Sequence, residues 1–212
     1  MTDQPLSPEP ELPAPGGRHR PSVTVDRGRI PALRVRERVE TILRTHDFSE
    51  AERAFGQLTP EDLVVVRVIA QEGAASGVEP PVRYAAIAAL ARHPSAANLN
   101  LLTDLARLGE DFYVRGHAVL ALAHTGSYAH LGAVLAALEA TEPFERAAAV
   151  KALRHLAAVT SEEAVRAHAL ALGGEEAMRR LDAALAAAGR QAAEARRGPR
   201  VTEADPGGPA TS

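Results

Sequence analysis

A nine-residue pattern that occurs three times is the feature that most constrains the fold of this chain. Its copies occupy 82–90 (VRYAAIAAL), 114–122 (VRGHAVLAL) and 145–153 (ERAAAVKAL), at spacings of 32 and 31 residues. Within the copies an Arg, an Ala, a β-branched residue and a Leu keep the same columns, and the apolar residues follow the spacing of one helix face. Repetition at this period predicts small units that bury their apolar faces only by stacking on one another.

The remaining sequence also favours helices. A shorter apolar segment follows each copy and begins near a serine that can cap a helix: Ser95, Ser127 and Ser161. The β-branched run 64–69 follows a helix start at Thr59-Pro60, so we interpret it as a buried helix. Since no segment shows a sustained two-residue alternation, the sequence predicts an all-α chain of about eight helices.

Composition divides the chain into a folded body and two ends. Pro and Gly are concentrated in 1–30 and in 198–212, and such segments bury too little apolar surface to offset the cost of ordering. We therefore predict a disordered arm and a disordered tail there. The repeat body is placed at 31–173, with a first helix near 32–45, and a capping helix is placed at 174–197. The clearest repeats are expected at 81–109, 111–140 and 143–172.

The pattern Val-Arg-x-x-Ala-Ile/Val-x-Ala-Leu at 82–90 and 114–122 resembles HEAT-like repeats, particularly the short kind first noticed in phycobilisome lyases. The resemblance covers about 81–172, with a further helix pair at 49–73 that lacks the Arg column, and implies a right-handed α-solenoid of three to four helix pairs over about 49–172. It further implies a non-catalytic scaffold that binds a protein partner, because few such solenoids are enzymes. A tetratricopeptide-type adaptor is the structural alternative, since 126–143 mimics one unit of that family.

Composition and charge exclude several function classes. The 212 residues include no Cys, which excludes disulfides, thiolate chemistry and Cys-based metal sites. The net charge of −3 provides no general attraction to nucleic acid, so no nucleic-acid partner is predicted. For the Arg-rich stretch 18–29 alone, an acidic protein or RNA stays open as a binding partner. Without a membrane-length apolar run or a targeting pattern, we expect a soluble cytoplasmic protein.

The eight His residues raise the alternative of a metal-dependent or lyase-like enzyme. Enzymes with a di-iron centre that resemble this fold use repeated His-Glu pairs, and no His here is followed by Glu. His124 and His155 share a repeat column with Arg92 near the end of the first helices, where the helix dipole favours a cation. His117 occupies a column otherwise held by Ala. We therefore predict no catalytic residue, no metal and no cofactor.

The Arg column yields a structural prediction. In HEAT-like repeats such an Arg commonly pairs with an acid in the loop between repeats, so the resemblance implies a ladder that holds the register. The ladder consists of Arg83, Arg115 and Arg146, and the acids four residues before them are Glu79, Asp111 and Glu142. An exposed pair of this kind contributes about 0.2–1 kcal/mol.

The partner-binding surface is expected on the concave face, built by the second helix of each pair. Stacking is predicted to bury one apolar row on these helices: Leu99, Leu102, Leu105, Leu131, Leu135, Leu138, Val165 and Leu172. Helical phase leaves five polar residues on the opposite edge, which we predict to contact the partner: Asn100, Asp104, Arg107, His130 and Arg166. The alternative for each of them is an ordinary solvated position, and the sequence leaves the partner and the oligomeric state open.

Overall fold

A computed structural model of the chain describes residues 29–45 and 47–197. This part contains nine α-helices, two short 3-10 helices (Ala74–Ser76 and Tyr128–His130) and no strand, which confirms the all-α prediction. The helices are α1 (Arg29–Leu43), α2 (Phe48–Gly56), α3 (Pro60–Gln71), α4 (Pro80–Ala91), α5 (Ala96–Leu108), α6 (Phe112–His124), α7 (Leu131–Ala137), α8 (Pro143–Val159) and α9 (Glu162–Arg197).

The predicted ends fall almost entirely beyond these residues. The predicted tail 198–212 lies outside the described part, and so does the predicted arm 1–30 apart from its last two residues. Those two residues already belong to α1, which begins at Arg29. The first helix therefore starts three residues before the position expected from the sequence.

The helices form two layers. One layer contains α2, α4, α6 and α8, and the other contains α3, α5, α7 and α9; α1 packs against α2, α3 and α4. We call these the first-helix layer and the second-helix layer, because each consecutive pair contributes one helix to each. Extensive packing of α4 on α6 and of α6 on α8 joins neighbouring pairs. The described chain is thus a short α-solenoid.

Polar caps determine where several helices begin. Thr59 and Asp62 form a reciprocal capping box at the start of α3, which contains the β-branched run interpreted as a helix. The hydroxyl of Ser95 accepts a hydrogen bond from the backbone nitrogen of Asn98 and caps α5. Ser127 caps the 3-10 helix Tyr128–His130 rather than α7 itself. This extra turn shortens the second helix of that pair.

The columns of the repeat form the core of the first-helix layer. The Leu column and the Ala column are both fully buried: Leu90, Leu122 and Leu153, with Ala86, Ala118 and Ala149. Burial of one Leu side chain contributes about 1.5–3 kcal/mol, while the small Ala side chains let neighbouring helices approach closely. The periodic pattern in the sequence is therefore the packing surface between repeats.

The second-helix layer buries five of the eight residues in its predicted apolar row, while Leu99 and Leu138 are half-buried and Leu172 is exposed. Leu102, Leu131 and Val165 are fully buried. Leu172 was predicted in the same row, and this prediction is wrong because its side chain is 58% exposed. The backbone of α9 leaves helical geometry at the next two residues, Gly173 (φ −143°) and Gly174 (φ 62°). The regular first part of α9 therefore ends at Leu172, whose side chain stays at the surface.

The part of α9 that follows this bend covers the end of the solenoid. Leu181 is fully buried, and Ala177 and Ala184 are buried beside it in the core cluster that contains Leu153 and Leu156. A solenoid needs such a cover, because its last repeat has no successor to bury its apolar face. No helix in the described residues is long and apolar enough to span a membrane.

Candidate binding surfaces

The Arg column links successive repeats, although through other acids than those expected. Arg83 is only 7% exposed, its Nε donates to the carbonyl oxygen of Ala70 at 3.1 Å, and its Nη1 pairs with Glu110. The predicted partner Glu79 is wrong: it precedes α4 and lies 3.7 Å from Arg44. Arg83 therefore pairs with an acid in the loop before α6, and not with the acid in the loop before its own helix, α4.

Arg115 repeats this arrangement one unit later. Its Nε donates to Oε1 of Glu145 at 2.8 Å, and its Nη1 donates to the carbonyl oxygen of Gly109 at 2.8 Å. Glu145 lies in the first turn of α8 and is 6% exposed, so its carboxylate needs the guanidinium to offset desolvation. Asp111, predicted as the partner, instead caps α6 by accepting from the backbone nitrogen of Val114 at 2.8 Å.

Arg146 ends the column with a different set of contacts. Its Nη1 donates to the carbonyl oxygens of Ala140 at 2.8 Å and Thr141 at 2.5 Å, and its side chain is exposed. The predicted pair with Glu142 is absent from the described residues. Arg146 differs from Arg83 and Arg115 because α8 is the last helix of the first-helix layer in that part, so no next repeat offers an acid to Arg146.

Three of the five predicted contact residues share an exposed face of α5. Asn100, Asp104 and Arg107 lie four and three residues apart, which places them side by side along the helix. Neither Asp104 nor Arg107 forms an ion pair with any described residue. The next residue, Leu108, is 79% exposed, so an uncovered apolar side chain adjoins two unpaired charges.

A groove lined by both polar and apolar side chains lies beside this face of α5. Val64 and Val68 are exposed one turn apart on α3, and Gln71 on the following turn lines a cavity of about 320 Å³. The α5 side of that cavity is formed by Leu101, Asp104, Leu105 and Leu108. We call the surface made by Val64, Val68, Asn100, Asp104, Arg107 and Leu108 the second-helix face.

The other two predicted contact residues hold neighbouring elements together. The Nδ1 of His130 lies 2.9 Å from Oγ1 of Thr103 on α5, and burial lowers the pKa of His130. Arg166 pairs with Asp182 at 3.0 Å and with Glu162, so it connects the parts of α9 on either side of the bend. Their polar atoms are already engaged, and the structure does not group these two residues with the exposed α5 face.

The sequence analysis missed a cluster of rings in the first-helix layer. Tyr84 of α4 stacks on His117 of α6, with centroids 4.4 Å apart and planes 11° apart. Phe144 of α8 lies 5.7 Å from His117 and 4.9 Å from Tyr113, which in turn lies 6.2 Å from Tyr84. Gly116 permits this arrangement, because a Cβ there would stand 2.5 Å from the Phe144 ring. The only sequence signal was the shared repeat column of Tyr113 and Phe144.

The His residues considered as metal ligands lie in two separate ring contacts. His117 belongs to the cluster just described, and burial lowers its pKa. His124 stacks on His155 with centroids 4.2 Å apart, and burial followed by the charge of His155 lowers the pKa of His124. Among the described residues no three His, Asp or Glu side chains are grouped so that they could hold a metal ion.

Comparison with known families agrees with the class of protein that this fold defines, an α-solenoid of short helix pairs. The family model of HEAT repeats matches residues 72–154, which include all of α4, α5, α6 and α7 and most of α8. This part of the chain is therefore similar to HEAT repeats, and the match favours that family over tetratricopeptide repeats. No curated protein matches the chain.

Proposed function

We propose that this protein is a non-catalytic interaction module that binds a segment of a partner protein on the second-helix face. HEAT-like arrays commonly act as scaffolds, because stacked pairs present a long continuous surface formed by successive helices. The resemblance of the pattern Val-Arg-x-x-Ala-Ile/Val-x-Ala-Leu at 82–90 and 114–122 supports assignment to the short, phycobilisome-lyase type of repeat. The proposal concerns binding alone and assigns no reaction to any residue.

The observation that carries the proposal is the exposure of Leu108 on α5. A helix of a folded domain normally turns its Leu side chains inward, and α5 does so with Leu102 and Leu105. Leu108 instead lies at the surface, where it lines the groove with Leu101 and Leu105, and Val64 and Val68 are exposed on the neighbouring α3. Exposed apolar side chains with charged neighbours are typical of a protein-binding surface.

The second-helix face fits an amphipathic helix. Such a helix places apolar anchors three, four and seven residues apart in a groove, which matches the spacing of one turn between Val64 and Val68. Asp104 and Arg107 then flank the groove with opposite charges, and they are available because neither has an ion pair within the described part of the chain. Opposite charges on the partner would set the direction in which it lies.

Affinity capture from the native host tests this proposal. The double variant Asp104→Arg with Arg107→Glu exchanges the two charges and keeps the net charge, and we expect it to reduce recovery of the partner about tenfold or more. Glu176→Arg with Arg179→Glu is the matched control, since it makes the same exchange at the same spacing on an exposed part of α9. Equal recovery with the wild type and both variants would overturn the proposal.

A further inference from the structure

A second cavity, of about 350 Å³, opens in the first-helix layer between α2, α4 and α6. The face of α4 forms its floor with small side chains, and α2 and α6 form its walls. The floor consists of Ala85, Ala88 and Ala91, and apolar wall residues are Ala51, Phe55, Leu120 and Ala121. The volume falls within the range of small-molecule pockets in proteins, and the second-helix face lies in the other layer.

Comparison of repeat columns explains why the cavity lies at α4. Ala88 on α4 corresponds to Leu120 on α6 and to Lys151 on α8. The first repeat thus carries a methyl group where the next two carry long side chains. The shallow floor is a local departure from the repeat, and a Leu at the same position would occupy the space.

The walls are fixed in place by contacts between α2 and the end of α4. Arg92, which ends α4, pairs with Glu52 of α2, and Nε2 of His93 lies 2.6 Å from the carbonyl oxygen of Phe55. The opposite wall is held by the stacking of Tyr84 on His117, both of which line the cavity. A pocket with tethered walls needs little reorganisation to bind a ligand.

The rim near the end of the first helices carries polar side chains, among them Arg92, which is paired with Glu52. Arg92 and His124 line the cavity there, and Lys151 and His155 act on His124 from α8. Glu52 of α2 is the single carboxylate among the groups that act on His124. Lys151 is exposed and has no ion pair within the described residues. An acidic group bound at this rim would pair with Arg92 in addition to Glu52 and would be attracted by the exposed Lys151.

We propose that this cavity binds a small organic anion, with an apolar, ring-containing body on the alanine floor and one acidic group beside Arg92 and His124. The alanines and Phe55 match the apolar body, and Tyr84 with His117 offers a flat wall for a ring. Arg92 and the exposed Lys151 attract the acidic group. The site is independent of the second-helix face, and its ligand is of another chemical class.

Fluorescence titration of the full chain with 8-anilinonaphthalene-1-sulfonate (ANS) tests the proposal, because this probe is an aromatic anion of suitable size. We expect saturable binding to the wild type, weakened about tenfold or more by Ala88→Leu. Ala158→Leu is the matched control, since Ala158 is an exposed helical Ala on α8 outside the cavity. We expect the control to bind as the wild type does.

Two further measurements separate the electrostatic from the hydrophobic contribution to binding, and the cavity from the second-helix face. Lys151→Gln should weaken binding of ANS but leave binding of the uncharged analogue N-phenyl-1-naphthylamine unchanged. Leu108→Glu, on the second-helix face, should leave ANS binding unchanged. Binding that survives Ala88→Leu, or that is lost in Leu108→Glu, would overturn the proposal, and so would an equal effect of Lys151→Gln on both probes.

Discussion

The imidazole of His117 lies flat against the phenol ring of Tyr84, with 4.4 Å between centroids. The contact joins α4 to α6 and encloses the imidazole among rings from three successive first-layer helices. Burial lowers the pKa of His117, with a smaller opposing influence from Asp111 and a smaller added one from Lys151. The folded protein therefore favours the neutral imidazole.

This pKa shift makes stability depend on pH. In the unfolded chain His titrates near pH 6.5, and its lower folded pKa means that the unfolded state binds more protons as the pH falls through that value. Stability should therefore decrease below about pH 6.5 and level off below the folded pKa. His117→Phe keeps a ring against Tyr84 but removes the titration, so we expect a smaller loss of stability between about pH 7.5 and pH 5.

Urea denaturation at several pH values measures this difference. His124 and His130, whose pKa values are also lowered by burial, remain in the variant and keep part of the pH dependence. An unchanged pH dependence in His117→Phe would contradict the assignment of a neutral imidazole to the stack with Tyr84.

The two arginines Arg115 and Arg146 share a repeat column, but we expect their replacement by Ala to lower the free energy of unfolding by different amounts. Arg115→Ala leaves the buried carboxylate of Glu145 without its guanidinium, and we expect a loss of about 1–3 kcal/mol in the free energy of unfolding. Arg146→Ala removes only hydrogen bonds from an exposed side chain to loop carbonyls, and we expect less than about 1 kcal/mol. Denaturant unfolding of both variants is the measurement. A larger effect of Arg146→Ala would contradict the distinction.

Gly116 and Gly132 provide a matched pair of helical glycines. Gly116→Ala should destabilise the protein by about 1–3 kcal/mol, because the new Cβ would overlap the ring of Phe144. Gly132→Ala on α7 should stabilise it by about 0.5–1 kcal/mol, since nothing lies within 4 Å of its Cβ and Ala favours a helix. Thermal unfolding compares them directly. An increase in stability for Gly116→Ala would show that the Phe144 ring yields to the added methyl group, and a decrease for Gly132→Ala would contradict the prediction for α7.

The sequence predicted the core because its repeat columns are also packing columns. The Leu column of the sequence is the buried Leu column of the structure. The prediction that Leu172 is buried failed. Its spacing from Val165 fits one helix face, but Gly173 and Gly174 break the helix immediately afterwards. Periodicity describes a continuous helix and contains no information about the direction after a break.

The contacts between elements were harder to predict than the elements themselves. Glu79 stands one helical turn before Arg83, and spacing alone favours that pair, yet Arg83 reaches Glu110 in the next repeat. The cavity at Ala88 was equally hard to predict. In the sequence Ala88 is an ordinary helix residue, and the cavity exists only because α2 and α6 lie beside it. Comparison of Ala88 with Leu120 in the repeat column was the one available signal.

Photocrosslinking tests the central claim, that a partner binds the second-helix face. A photoreactive p-benzoylphenylalanine is placed at Leu108, or at Val159 on α8, which is also an exposed apolar position, and each protein is irradiated in extract of the native host. We expect a discrete crosslinked product from position 108, lost when Asp104→Arg and Arg107→Glu are added, and none from position 159. A product from position 159 and none from position 108 would contradict it.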